Sequence, residues 1–266
     1  MEISSKPWLG ALALLALALI SQGCTSYSGR LIGSKPAPLP LPEGIDVAFN
    51  HRESSHYRSP VHGDTRNGDN LEALLLNAIE AAQTEILVAV QELSLPELAE
   101  ALAMQHRRGI QVKVVLENTY SPAWSDQHEA ELDRHQRQRH QLLKALADRN
   151  RDGQLSLAEL QQGDAMAILQ RAGVPWIDDT ADGSKGSGLM HSKYVVIDRR
   201  VVITGSANFT ASGIHGDAGD RRTRGNVNHL LRLESPQLAQ LFAADFQQMW
   251  GDGPGGDADS RFGLAK

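Results

Sequence analysis

Between positions 191 and 208 the sequence gathers His191, Lys193, Gly205, Ser206 and Asn208. Two residues apart, His191 and Lys193 share a face if the segment is a strand. An imidazole beside an ammonium suits attack on a phosphate ester, because neutral imidazole is a competent nucleophile and the ammonium neutralises phosphate oxygens. Gly205 permits a tight turn, and Ser206 and Asn208 can donate hydrogen bonds to further oxygens. Asp198, five residues beyond Lys193, points out of that cluster.

These residues need a sheet to hold them. Ile45 to Asn50 alternates as a first strand. Leu71 to Ala82 has helical spacing, Glu85 to Gln91 reads as a buried strand, Pro96 to Arg108 as a second helix, and Gln111 to Glu117 as a second parallel-type strand. Strand, helix and strand with short joints imply a right-handed crossover in an α/β sheet. Asp164 to Ala172 is another helix, stopped by Gly173 and Pro175. Tyr194 to Asp198 and Val201 to Thr204 are short strands, His229 to Leu233 is a last strand, and Pro236 to Trp250 is a closing amphipathic helix. The stretch from His51 to Asp69, with His51, His56 and His62, reads as a solvated loop: spacings of five and six place the histidines on no common helical face.

The pattern H-x-K-x(4)-D followed by G-S-x-N, with this order of elements around it, resembles the phospholipase D superfamily over roughly Ile45 to Trp250. The resemblance implies an α/β fold, a mixed sheet flanked by helices. It also implies two displacements: one histidine attacks phosphorus to form a phosphohistidine, and another protonates the leaving alkoxide and then activates water. By that analogy His191 is nucleophile or acid/base, and Lys193, Gly205, Ser206 and Asn208 bind phosphate. Asp198 enters the catalytic set by its place in the motif, although its spacing suits a structural anchor. The chemistry requires no metal. Family members usually carry a histidine-orienting carboxylate in an Asn-x-Glu-Asn-like stretch. Here that stretch reads Gly225-Asn226-Val227-Asn228-His229, so Asn228 stands as the candidate orienting residue, with Asp217 or Asp220 as substitutes. The mechanism needs two histidines and the chain has one such motif. Single-motif members meet this need by homodimerisation across a two-fold axis, so a homodimer with one shared site is expected.

Residues 126–163 exceed what that fold needs and contain a twelve-residue loop of EF-hand type. Asp148, Asn150 and Asp152 supply oxygens at positions 1, 3 and 5, the Gln154 backbone serves position 7, Ser156 position 9 and Glu159 position 12, with Gly153 at the sharp turn. The expected flanking helices are His128 to Ala147 and a short one from Leu157. Ca2+ is expected in a structural or regulatory role. Asp178 to Gly183 lacks a final Glu and reads as a flexible loop rather than a paired EF-hand.

The apolar run Leu9 to Ile20 is too short to span a bilayer core of about 30 Å and sits where a signal peptide would. Cys24, the only cysteine, follows within Ser21-Gln22-Gly23-Cys24, which resembles a bacterial lipoprotein signal. Residues 1–23 then read as signal, 24–44 as a proline-rich tether, 45–250 as the catalytic domain and 251–266 as a disordered tail. The expected location is extracytoplasmic, in the cell envelope or periplasm: anchored in a membrane through a lipid on Cys24, or secreted if Cys24 is unmodified. One cysteine excludes a disulfide framework. The net charge of -6 argues against a general nucleic-acid coat while leaving a local basic cleft open. The clusters His106-Arg107-Arg108, Arg199-Arg200 and Arg221-Arg222-x-Arg224 keep a nuclease in view. Phospholipid is the favoured substrate, nucleic acid the alternative, and a non-catalytic calcium-dependent envelope binding module the reading from another class.

Overall fold

A computed structural model describes residues 40–184 and 188–262. Cys24, the signal segment and nearly all of the tether lie outside the described residues. The core is a seven-stranded mixed sheet. Its strands are β1 (Ile45–Phe49), β4 (Glu85–Val90), β5 (Gln111–Leu116), β6 (Trp176–Asp178), β7 (Lys193–Ile197), β8 (Val201–Gly205) and β9 (His229–Glu234), in the order β1-β9-β8-β7-β4-β5-β6. β4, β5 and β6 pair in parallel; β4 with β7, and β7-β8-β9-β1 onward, pair antiparallel. This is the mixed α/β sheet expected from the sequence.

Period-two alternation sorts each strand between two apolar layers. Ile86, Val88 and Val90 of β4 face one way, into a layer with Leu71, Leu75, Leu98, Leu102 and Leu169. These come from helices α1 (Leu71–Ala81), α2 (Pro96–Arg107) and α5 (Ala165–Ala172). Leu87 and Ala89 face the other way, against Phe246 and Trp250 of α7 (Pro236–Trp250). Such doubly covered strands read as continuous apolar runs, and every residue of β4 is buried. Each full burial of a large apolar side chain contributes about 1.5–3 kcal/mol. The helix starts are fixed locally: Asn70 Oδ1 accepts from Ala73 N at 3.0 Å, Asp164 Oδ1 accepts from Met166 N at 3.0 Å, and Ser235 precedes Pro236 at the start of α7.

Several expectations are corrected. The stretch between His51 and Asp69 is not one loop: β2 (His56–Arg58) and β3 (Thr65–Asn67) form a hairpin. The polar composition hid it, because what pins it is buried Arg66, whose guanidinium donates to the carbonyls of His215, Thr223 and Arg221. Its histidines do not gather; His51 faces the carbonyls of Arg224 and Gly225, and His62 that of Asp217. Helix α3 (Arg134–Ala147) starts later than expected, because Asp133 and Gln136 form a reciprocal capping box there. Asp178 ends β6 instead of opening a flexible loop. Asp164 caps α5 instead of joining it. α4 (Leu157–Gly163) follows the calcium-type loop, and α6 (Ala211–Ile214) is a single turn after the Gly-Ser element. Residues 251–262, expected to be disordered, fold back in turns: Arg261 N donates to Gln248 O at 2.8 Å and Ser260 N to Asp182 Oδ2 at 2.8 Å. Phe262 gives that segment an apolar foothold against the α7 layer.

Asp198 lies just past β7, at the sheet edge where β4 begins. Its Oδ1 accepts from Thr84 N at 2.7 Å, Thr84 Oγ1 at 2.8 Å and Glu85 N at 3.0 Å, and its Oδ2 from Gln83 N at 2.9 Å. The residue sits in the left-handed region at φ 51°, which Asp tolerates. Desolvation pushes its carboxyl upward, but the donors from Glu85, Gln83 and Thr84 outweigh it and hold the pKa below the usual carboxylate range. A depressed native pKa contributes stability that is present at neutral pH and lost as pH falls through the native value. Asp198→Ala is expected to lower unfolding free energy by about 2–3 kcal/mol, because the strand-start amides lose their acceptor. Urea titration at pH 7 checks this, and the gap between variant and wild type narrows below about pH 4; equal midpoints at pH 7 would remove the anchor role.

Candidate active site

Strand polarity decides where the functional side chains meet. β4, β5 and β6 are parallel and β7 opposes β4, so the carboxyl ends of the first three and the start of β7 share one edge of the sheet. The end of β8 and the start of β9 lie on the same edge. His191, Lys193, Ser206, Asn208 and Asn228 therefore come from separate strand ends onto one rim. Asp198 stands at the opposite end of β7, with the strand-start amides and not in this site.

The approach to His191 is held from both sides. Buried Asp179 accepts from Asn118 N at 3.0 Å and from Met190 N at 2.9 Å. Gln91 N donates to Ser192 O at 3.1 Å. The His191 side chain itself is exposed. Lys193 Nζ donates to the His191 carbonyl at 3.0 Å and to Gln91 Oε1 at 3.3 Å. Burial pushes the Lys193 ammonium below the usual lysine value, which leaves a poorly hydrated cation facing the rim.

Gln91 is the residue the sequence reading did not single out. It is buried at the end of β4, and its Oε1 also accepts from Asn208 Nδ2 at 3.1 Å. One side-chain oxygen thus sets both the lysine and the asparagine. The available signal was a lone polar residue closing the apolar run EILVAV. Asn208 Oδ1 is buried without a partner. The segment after Asn208 is stapled to the segment after β4, with Phe209 N donating to Glu92 O at 3.0 Å and Ser94 N to Phe209 O at 2.9 Å.

Gly205 is required by contact: a Cβ there would stand 2.1 Å from the His229 carbonyl oxygen. This close approach brings β9 against Ser206. Ser206 Oγ donates to Asn228 Oδ1 at 2.8 Å, and His229 Nδ1 lies 3.3 Å from the same hydroxyl. Asn228 is locked: its Nδ2 donates to Gly213 O at 2.7 Å and its N–H to Asn50 Oδ1 at 2.8 Å. It therefore orients Ser206, not His191. Of the proposed substitutes, Asp220 is paired with Arg222 at 2.8 Å, which holds its carboxyl at about 2, and no hydrogen bond joins the Asp217 carboxylate to His191 among the described residues.

The insertion packs on its own small cluster of Trp124, Leu143 and Ala147. α4 lies close to α3, since a Cβ on Gly163 would meet that of Ala147 at 2.3 Å. Within the loop, Gly153 N donates to Asp148 Oδ2 at 2.9 Å, Asp152 N to Asn150 Oδ1 at 2.8 Å and Gln154 N to Asp152 Oδ1 at 2.7 Å. Arg151 and Gly153 take positive φ. Asp148 Oδ1 is buried without a partner, an oxygen placed for a cation. Glu159, however, is turned onto Ser156, whose hydroxyl donates to its Oε2 at 2.7 Å. Among the described residues, no three carboxylate or imidazole groups converge as a metal cluster. The donor set fits calcium in kind, with the Glu159 carboxylate serving as a helix cap. A cleft of about 480 Å³ lies between this loop and Pro60, Val61 and Leu95, and its lining includes none of His191, Lys193, Ser206, Asn208 or Asn228.

Residues 75–250 match the family model described as "Cardiolipin synthase, PLD-like domain". The chain belongs to the PLD-like domain family. Among curated relatives, human mitochondrial cardiolipin hydrolase is 24% identical over 227 residues, covering 85% of this chain and 62% of that protein. A phospholipase D of Rickettsia conorii is 36% identical over 74 residues, 28% of this chain and 30% of that one. This PLD-like chain thus spans less than two thirds of the length of either relative. Among solved structures, Nuc from Salmonella typhimurium, described as a phospholipase D family member, aligns with a TM-score of 0.46 and 21% identity over 79% of this chain and 95% of that one.

Replacing Gln91 with Leu removes the shared acceptor while preserving volume and burial. Loss of one charge-assisted hydrogen bond, worth roughly 1.5–3 kcal/mol, is expected to lower kcat/KM toward a phosphodiester by about 10- to 100-fold. Steady-state kinetics check this against an unchanged circular dichroism spectrum. Wild-type kinetics in the folded variant would show that Gln91 positions nothing of consequence.

Proposed function

We propose that the protein is a phosphodiesterase that hydrolyses phospholipid through a phosphohistidine on His191. The observation that carries the reading is the convergence of Lys193, Ser206 and Asn208 beside His191 on one rim of the sheet. In the first displacement a ring nitrogen of His191 bonds to phosphorus as the bond to the leaving alkoxide breaks. Lys193 and Asn208 hold the phosphate oxygens, joined by Ser206 once its hydroxyl turns from Asn228 Oδ1, and these oxygens carry the most charge as the displacement proceeds. The leaving oxygen needs a proton, and a second copy of the chain would bring another His191 across a two-fold axis to supply it.

Phospholipid is favoured over nucleic acid by what surrounds the rim. Leu189, Val227 and Phe49 flank His191, Asn228 and His229, and are 49%, 77% and 43% exposed. Two of the three arginine clusters, in contrast, are engaged locally. Arg199 and Arg200 sit at the opposite sheet edge with Glu85 at 2.9 Å and Glu234 at 3.7 Å. Arg221 donates to His62 O, Arg222 pairs with Asp220, and Arg224 pairs with Glu53 at 3.5 Å. A human relative bearing the name cardiolipin hydrolase supports the same substrate class. A lipid on Cys24 would keep the domain in the envelope beside such a substrate.

Incubating the purified protein with bis(p-nitrophenyl) phosphate, phosphatidylcholine vesicles and single-stranded DNA separates the readings. Turnover of the first two, reduced about 10³-fold or more in His191→Ala, is expected. Cleavage of DNA alone makes the chain a nuclease, and no cleavage by wild type makes it a binding module. The active species is expected to scatter light as a dimer, and Cys24→Ser to leave the membrane fraction.

Calcium binds, on this reading, at Asp148, Asn150, Asp152, the Gln154 carbonyl, Ser156 and Glu159, with Glu159 released from its capping role. A lone loop with three carboxylates suits weak binding in a calcium-rich compartment. Isothermal calorimetry is expected to show one site with a dissociation constant of about 10⁻⁴–10⁻³ M, abolished in Asp148→Ala. Titration heats equal to dilution would remove calcium from the account.

A further inference from the structure

The single turn α6 supports the rim through Asn228. Its Gly213 carbonyl accepts from Asn228 Nδ2 at 2.7 Å, and its Ile214 carbonyl accepts from Asn50 Nδ2 at 3.2 Å. Asn50 Oδ1 in turn accepts the Asn228 N–H at 2.8 Å, so backbone and side chain of Asn228 both refer back to α6. A carbonyl can only accept, which makes Nδ2 the group that faces Gly213 and Oδ1 the group that faces Ser206, 2.8 Å away. The Ser206 hydroxyl therefore stands where α6 puts it. A lone helical turn is unstable by itself, because fixing its backbone costs more than its first hydrogen bond returns. Something outside α6 has to hold it.

That hold comes from His215, the residue directly after α6, which is fully buried. Its Nε2 lies 2.8 Å from Glu72 Oε2, and its Nδ1 lies 2.9 Å from the Tyr57 hydroxyl. Glu72 is buried in the first turn of α1, and Tyr57 belongs to β2. The Arg66 guanidinium takes the His215 carbonyl. Ring and backbone of one residue are thus tied to α1 and to the β2–β3 hairpin. Burial pushes the Tyr57 hydroxyl up to about 12, so it keeps its proton at neutral pH. A carboxylate accepts and the Tyr57 hydroxyl donates, so one ring tautomer serves both partners: Nε2–H towards Glu72 and a bare Nδ1 towards Tyr57. Glu72 Oε1 has no partner, so His215 makes the only hydrogen bond of that buried carboxylate among the described residues. Replacing a buried polar chain by apolar groups often costs no stability; what such a chain supplies is one fixed geometry.

We infer that Tyr57, His215 and Glu72 are positioning residues of the phosphate site, acting through α6 and Asn228 on Ser206. The inference rests on the reading that Ser206 joins in binding a phosphodiester. Glu72 and Tyr57 fix the His215 ring, His215 fixes the end of α6, and the Gly213 carbonyl fixes Asn228. Asn228 then keeps the Ser206 hydroxyl at the rim until an arriving phosphate draws it away.

A double-mutant cycle with bis(p-nitrophenyl) phosphate tests this. Glu72→Ala is expected to lower kcat/KM about 10-fold, because a small misplacement of a binding group is felt strongly by the reaction. Glu72→Gln, whose side-chain carbonyl can still accept from Nε2–H, is expected to recover most of that loss. In a Ser206→Ala background the same Glu72→Ala change is expected to cost less than about 2-fold, since residues acting through one another do not add. A general loosening of the fold costs the full factor in both backgrounds, and that result overturns the inference, as do wild-type kinetics in folded Glu72→Ala. Should Glu72→Ala fail to fold, Tyr57→Phe, which removes one hydroxyl, is read in the same cycle. Nitrogen chemical shifts of isotope-labelled histidine add a readout that needs no turnover: His215 is expected as the Nε2–H tautomer, and a protonated Nδ1 overturns the arrangement. A wild-type protein that cleaves no phosphodiester overturns the underlying reading and this inference with it, whereas an active wild type matched by its Glu72→Ala variant overturns the inference alone.

Discussion

The constraint on which the rest depends is the pairing of β7 with β4. To one side of this junction the sheet is parallel, β4-β5-β6; to the other it is antiparallel, β7-β8-β9-β1. A parallel strand delivers its carboxyl end, and an opposing strand its beginning, to the same edge. Turning the direction at this one seam therefore places the ends of β4, β5, β6 and β8 beside the starts of β7 and β9. Gln91 stands on the seam: its backbone bonds to Ser192, and its side chain bonds to Lys193 and Asn208. The opposite end of the seam is closed by Asp198, which gathers the amides that open β4. A motif that looks continuous in sequence is thus divided between two jobs at two edges, roughly one strand length apart.

The rim is built by shared acceptors more than by opposed charges. Gln91 Oε1 orients an ammonium and an amide at once. Asn228 Oδ1 takes the hydroxyl proton of Ser206. A neutral amide at position 228 orients its neighbours without adding negative charge beside the proposed phosphate site. In a partly desolvated site that difference matters, because unscreened charge acts strongly over a few ångströms.

Much of the fold was legible because apolar periodicity is a local signal. β4, β5 and α7 lie within a residue of their expected bounds, and the Gly-Ser element was placed correctly after a strand. What was not legible depends on pairs far apart in the chain. The hairpin of β2 and β3 is held by Arg66 reaching carbonyls around position 220. His229 comes beside Ser206 only when β9 is set against β8, and Gln91 meets Lys193 only when β7 lies beside β4. A polar residue announces its partner only when the fold brings the two together, so a sequence pattern finds the residues of a contiguous motif and misses those that hold it. The tail after Trp250 shows the converse: a composition rich in Gly and Asp still folds back when Phe262 finds an apolar layer.

The direction of β1 bears on how such a site meets a membrane. Phe49, at the end of β1, pairs with His229 on the catalytic rim, so Ile45 and the chain that precedes it enter at the opposite edge. An anchor at Cys24 would therefore lead to the far side of the sheet. The 21 residues from Cys24 to Gly44, at no more than about 3.3–3.6 Å each, reach at most about 70–75 Å. The five residues of β1 rise only about 17 Å at roughly 3.4 Å each. Were Cys24 lipidated as proposed, a segment of that length would let the rim reach the anchoring membrane, with Leu189, Val227 and Phe49 leading. A tether shortened well below the depth of the domain would hold the rim away from that membrane and leave it only substrates that come from the aqueous side.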